Sequence, residues 1–217
     1  MYGPGVSVAR LPIHKARLMF YETTQKAPGL KHDPIKALVA PRPIGWISSL
    51  SPDGIANLAP YSFFNLVATG PSIVAFSSGG RKDSQVNIEQ TGEFVCNIAS
   101  QPLSEAVNTS SASVAGSVDE FALTGLETAP SVLIKPPRVK AAPAHLECVY
   151  LQTLPLIDKD GVRSLFDLVL GQVVGVHIDD GFIKDGLVDT GAMRLLSRLG
   201  YLDYGVTDTV FSLPRPG

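Results

Sequence analysis

The sequence is poor in cysteine, long apolar runs and surplus charge, and each scarcity closes off a class of protein. Only Cys96 and Cys148 occur. Both lie in apolar, strand-like runs, which suits buried thiols of a cytosolic, cytoplasmic protein better than a disulfide. No apolar stretch approaches the ~20 residues needed to cross a bilayer as a helix. Arg10, Lys15 and Arg17 are followed by no continuous apolar core, so no secretory signal is expected. A formal charge of −2 gives no bulk attraction for nucleic acid, although local basic spots can still hold small anions.

Familiar catalytic signatures are missing too. There is no G-x-S-x-G, H-E-x-x-H, C-x-x-C or P-loop run. His14, His32, His145 and His177 stand far apart, without carboxylate or cysteine neighbours at ligand spacing, so no metal is expected. His177, on an apolar strand, reads as a packed or edge histidine. Asp158 and Asp160 resemble a fragment of a calcium loop, but a turn fits them better.

What the chain does have is 17 prolines and 20 glycines scattered between apolar runs, with 45% hydrophobic residues, enough for a sizeable core. They punctuate short β-type segments. Residues 44–50, 57–68, 72–78, 93–99, 144–156 and 164–178 read as strands, with Pro60 bending the second. Asp53-Gly54 and Asp160-Gly161 mark hairpin turns. Helices are few: 84–90, with Asp83 or Ser84 as cap and Gly92 past its end, then 103–108 and 193–199. Met19 opens a more ordinary-looking start, so residues 1–18 are expected to form a poorly ordered extension and 19–217 one domain. Short strands with hairpin turns and few helices give a mainly β fold, a closed barrel.

Two segments have a physical reason to bind something. Ser77-Ser78-Gly79-Gly80-Arg81-Lys82-Asp83-Ser84 runs from a strand end into a helix start. Hydroxyls, permissive glycines and two cations ahead of unpaired helix amides suit a phosphate. A solvated basic loop is the equal alternative. In Asn57-Leu58-Ala59-Pro60-Tyr61-Ser62-Phe63-Phe64-Asn65, polar side chains interrupt an aromatic, apolar strand. A flat heteroaromatic ligand would give them partners; so would neighbouring loops.

Pro41-Arg42-Pro43-Ile44-Gly45-Trp46-Ile47-Ser48-Ser49, then the 57–65 segment, then Phe76-Ser77-Ser78 with Arg81-Lys82-Asp83-Ser84, resemble the flavin reductase-like, FMN-binding split-barrel family in order and spacing. Glu93-Phe94-Val95-Cys96-Asn97, the run 171–178 and the closing Arg198-Leu199-Gly200-Tyr201 with Tyr204 resemble it too, so the likeness spans about residues 19–216. The resemblance implies a six-stranded Greek-key split barrel and a homodimer with flavin at the subunit interface. Ser48 and Ser49 would then meet the ribityl–phosphate side. Ala59, Pro60, Tyr61, Ser62, Phe63 and Phe64 would lie along the isoalloxazine, with Ser62 bonding the ring. Ser77, Ser78, Arg81, Lys82 and the cap position Asp83 would hold the phosphate.

One departure stands out. Many reductases of this kind carry a late Gly-Asp-His triplet near the nicotinamide, whereas this chain reads Leu170-Gly171-Gln172. The function implied is reduction of FMN, or FAD, by NAD(P)H, with reduced flavin passed to an oxygenase or another acceptor. Cofactors carry that hydride chemistry, so no catalytic acid–base pair is expected from the protein. The alternatives are an electron carrier that keeps its FMN and a flavoenzyme with an organic substrate of its own.

Overall fold

The computed structural model describes residues 18–216, so residues 1–17, nearly all of the expected extension, lie outside it. The chain folds mainly as antiparallel β structure. Seven strands form the principal sheet: β1 (Gly45–Leu50), β2 (Ala56–Tyr61), β3 (Phe64–Ala68), β4 (Ile73–Gly79), β5 (Glu93–Ile98), β6 (Ala144–Ile157) and β7 (Arg163–Ile178). Their spatial order is β2-β1-β5-β6-β7-β4-β3. The two strands at the ends of that order, β2 and β3, are consecutive in sequence and separated only by Ser62 and Phe63. The sheet must therefore curl back on itself, which is the barrel expected from the turn pattern.

The turn chemistry holds where it was clearest. Gly54 and Gly161 have φ of 84° and 83°, the left-handed conformation that the two hairpins require. The 57–68 run breaks at Ser62-Phe63 instead of at Pro60. Proline is tolerated within β2 because β2 ends the hydrogen-bonded order and leaves one edge free. Closure also needs Gly45, since a Cβ there would come within 2.5 Å of the Phe64 ring.

Two apolar clusters fill the interior. One gathers Ile47, Val74, Phe76, Phe94 and Val169 inside the barrel, and the other packs Trp46, Leu58, Val107 and Phe121 beneath the short helices. Cys96 and Cys148 are free and buried in the first cluster. Burial, together with the neighbouring Cys148, pushes the Cys96 thiol well up. Both cysteines serve as small apolar residues.

The helices are α1 (Ile35–Leu38), α2 (Asp83–Thr91), α3 (Ser104–Thr109), α4 (Glu120–Thr124) and α5 (Thr190–Met193). Lys82, one residue earlier than expected, is the N-cap of α2, while Gly92 closes it in the left-handed region at φ 77°. The helix expected over 193–199 does not form. Arg194, at φ 50°, ends α5, and β8 (Leu195–Arg198) pairs with β9 (Tyr204–Thr207) and with Arg42–Pro43. Backbone pairing between distant segments overrides the local helical pattern. No helix among the described residues is long and apolar enough to cross a membrane.

Candidate functional site

The break between β2 and β3 faces the start of α2 across a cleft of about 660 Å³, within the ordinary range for small-molecule sites. Ala59, Pro60, Tyr61, Ser62 and Phe63 form one wall. Ser77, Arg81, Lys82 and Asp83 form another. Nine of the thirteen residues expected to hold a cofactor therefore meet around one cavity.

The other four do not line it. Ser48 and Ser49 are fully buried. Ser48 donates its one hydroxyl proton to the Pro137 carbonyl (2.6 Å) and accepts from the Asn97 amide (3.1 Å). Ser49 lies between Asn57 and Asn87 at 3.4 Å from each. The Ser78 hydroxyl, also fully buried, donates to the Gly80 carbonyl (3.0 Å) and shapes the turn into α2. Phe64 directs its ring against Gly45 inside the barrel. In all four, the side chain is turned into the protein and spent on packing or on protein partners.

Several features make the α2 end a cradle for an anion. The helix has no side-chain cap at Lys82, so its first-turn amides keep their capacity to donate outward. Arg81 is largely exposed and pairs with Glu89 at 2.7 Å. Burial pushes the Glu89 carboxyl up, but hydrogen bonds led by Gln85, with Arg81 and its charge, outweigh this and hold it below its ordinary value. Gln85 in turn donates to Asp167 (3.1 Å), which Arg163 grips at 2.8 Å. This chain fixes Arg81 against α2 and β7 while leaving other guanidinium N–H groups free, since arginine has five.

The floor of the cleft was not foreseen from sequence. The Asn57 amide donates to both carboxylate oxygens of Glu120 (3.1 Å each), and its carbonyl accepts from Ser84 (2.7 Å). Burial raises the Glu120 carboxyl above its ordinary range, with the charge of Asp83 adding to the effect. Above this floor, the Tyr61 hydroxyl is buried near Ser78 and Ser84 without reaching hydrogen-bonding geometry with either. Burial raises its pKa and keeps it a neutral donor. A buried hydroxyl at the edge of a cavity, without a protein partner, can donate to a ligand atom.

Lys36, Arg42, Phe166, Arg198 and Tyr201 also line the cavity, as do residues 110–114. Arg42 and Arg198 stood in segments already singled out, but no local signal placed them beside the β2–β3 break. His177 pairs with the fully buried Glu147 at 2.5 Å, away from this cavity, so it is a packed histidine as expected. Among the described residues, no cluster of metal-ligating side chains occurs.

A model of the flavin reductase-like domain matches residues 39–196. The chain belongs to the flavin reductase-like family. An uncharacterised protein of Halalkalibacterium halodurans is 34% identical over 183 residues, 82% of this chain and 87% of that one. The structure superposes on nitrilotriacetate monooxygenase component B from Bacillus cereus with a TM-score of 0.82 at 28% identity, covering 91% of this chain and all of the other. It superposes on the 2-nitrobenzoate 2-nitroreductase of Pseudomonas fluorescens with a TM-score of 0.79 at 25% identity, over 91% and 96% of the two chains. As a family member the chain has the split-barrel fold, and its cavity lies where the two ends of the curled sheet meet.

Proposed function

We propose that the cleft binds FMN and that the protein is an NAD(P)H:flavin oxidoreductase. One observation carries this reading: a single cavity joins the uncapped first turn of α2, flanked by Arg81 and Lys82, to the aromatic and apolar wall of Ala59–Phe63. The residues present suit the group. Arg81, Lys82 and the α2 amides supply donors for a phosphate. Ala59, Pro60 and Phe63 supply apolar surface for a flat ring, and Tyr61 and Ser62 supply hydroxyls for its polar edge.

Bound flavin would supply the hydride-accepting chemistry, so these residues have only to bind, orient and exclude water. The α2 end gathers its donors around one terminal phosphate position, which suits FMN. Exposed Val149, Leu151, Leu154, Val174, Val176 and Ile178 on β6 and β7 favour a homodimer, since monomers seldom leave so much apolar strand surface in water.

Fluorescence titration with FMN tests the reading. Quenching at low-micromolar flavin is expected, and no change at roughly 100 μM would overturn it. Stimulation of NADH or NADPH oxidation by added FMN marks a reductase, while tightly held flavin without such stimulation marks an electron carrier. Light scattering should give about twice the 23.0 kDa chain mass.

A further inference from the structure

The cleft has a second cationic end that the phosphate cradle does not use. Arg42 and Arg198 face each other directly across the antiparallel pairing of residues 42–43 with β8, and Lys36 lines the same corner. Like charges placed directly opposite on paired strands repel. Burial, and then the charge of Arg198, lower the pKa of Arg42. Yet no carboxylate among the described residues forms an ion pair with any of the three.

Folding accounts for part of this arrangement. The two terminal nitrogens of Arg42 donate to the carbonyls of Lys36, Val39 and Leu199. Arg198 donates to the Tyr201 carbonyl (2.7 Å) and lies 4.5 Å from the centre of the Tyr204 ring. These contacts hold both guanidinium groups in place, but they leave three cations without a counter-charge. They also leave the Arg42 Nε buried without a partner, on a residue only 7% exposed that lines the cavity.

Aromatic rings stand between this corner and α2. The Arg42 guanidinium sits 5.9 Å from the Phe63 ring centre. Phe63 packs on Phe166 at 5.7 Å, and Phe166 covers Gly79, two residues before Arg81. The cavity thus runs from one cationic end across an aromatic pair to the other.

We propose that Lys36, Arg42 and Arg198 form a second oxyanion subsite, which takes the phosphate or carboxylate of the molecule that exchanges electrons with the flavin. The proposal rests on the flavin reading of the cleft. With the α2 end occupied by the flavin phosphate, the opposite end holds the charged group of the second substrate. Phe63 and Phe166 lie against the flat part of either molecule. Arg42 acts mainly as a fixed charge behind Arg198 and Lys36, whose positions allow direct contact.

Calorimetric titration of the whole protein saturated with FMN tests this, with inorganic pyrophosphate, NADP⁺ and benzoate as probes. The flavin-free Arg81→Gln protein provides an arm independent of flavin. Saturable binding of at least one probe is expected in both arms. Lys36→Gln and Arg198→Gln should each weaken that binding about tenfold, with FMN affinity held within about twofold. Loss for pyrophosphate and NADP⁺ alone identifies a dinucleotide phosphate, and loss for benzoate alone an organic acid; both support the subsite. If Arg198→Gln disturbs the turn it braces, the exposed Lys36→Gln still gives the answer.

Absence of binding by all three probes would overturn the proposal, as would binding indifferent to Lys36→Gln. A loss of FMN affinity in Lys36→Gln as large as that in Arg81→Gln would also overturn it, by assigning the corner to the flavin itself. Probe binding that survives in the flavin-free arm while FMN fails to bind would sustain the subsite and overturn only the flavin reading.

Discussion

The polar groups behind β5 and β6 and those at the edge of the cleft differ in whether the protein completes their hydrogen bonds. Behind the sheet, side chains of the barrel hold the loop 130–139 by its amides at Val132, Leu133, Lys135 and Val139. Asn97 donates to the Trp46 carbonyl and to Ser48, and accepts from the Val139 amide at 2.7 Å. Glu147 accepts from the Val132 and Leu133 amides at 2.7 Å each and pairs with His177. At the cleft, the first turn of α2 has no side-chain cap and the Tyr61 hydroxyl has no partner. Buried polar groups that are fully satisfied stabilise a fold, whereas partly satisfied ones at a cavity cost stability until a ligand arrives. A serine or an arginine therefore takes its role from its partners.

The sharpest test of this contrast is Glu147→Ala. It should cost about 3–5 kcal/mol, because it removes the buried carboxylate that the Val132 and Leu133 amides and His177 share as their acceptor. Denaturant titration measures the loss, and flavin affinity of the folded fraction should not change. A substitution that weakened flavin binding without lowering stability would break the distinction between the two regions.

Acid should strain the same closed region next. Burial, with the charges of Arg138 and His177 adding to it, lowers the His145 pKa to about 4 from an ordinary 6.5. The neutral ring donates from Nε2 to the Val139 carbonyl at 2.7 Å. The unfolded chain then binds more protons than the folded one between these values, so this contribution is complete above pH 6.5. It fades as pH falls toward 4, by on the order of 3 kcal/mol for a shift of this size. Unfolding midpoints across that window should decline in the native protein and decline less in His145→Gln. Equal slopes would place the pH dependence elsewhere.

At the cleft the expected effects move from stability to binding. Arg81→Ala should weaken FMN ten- to hundredfold, by about 1.5–3 kcal/mol, and leave riboflavin nearly unchanged, since only FMN carries the phosphate. Stability should barely move, because the Arg81–Glu89 pair is largely exposed on the arginine side. Equal losses for the two ligands would remove the phosphate assignment.

The smallest effects come from a matched pair of serines. Ser48→Ala should cost about 1 kcal/mol of stability and leave FMN binding alone. Ser62→Ala should leave stability alone and weaken flavin by roughly two- to tenfold, the range of one neutral hydrogen bond. Unfolding curves and flavin titrations on both variants decide this, and exchanged phenotypes would contradict the assignment.

The α2 end and the β2–β3 wall, which line one cavity, were legible in the sequence because both rest on local chemistry. Glycines and cations ahead of a helix, and polar residues breaking an aromatic strand, are visible within ten residues. The family resemblance added Ser48, Ser49, Ser78 and Phe64, whose side chains turn into the protein, and nothing local shows which way a side chain turns or what it meets. The partner of Ser48 lies 89 residues away, at Pro137. Glu120, which holds the floor of the cleft through Asn57, is 63 residues from it.

The strand and turn pattern, the hairpins at Gly54 and Gly161 and the stop of α2 at Gly92 were determined by the sequence itself, because periodicity, capping and positive φ act over a few residues. Tertiary structure alone decided that β8 would form where a helix was expected, and that Arg42 would meet Arg198 beside Lys36. It also decided which hydroxyls remain open to a ligand. Those outcomes depend on which distant segments pair. Pairing is settled by the burial and hydrogen bonding of the whole barrel, which no short stretch of chain encodes.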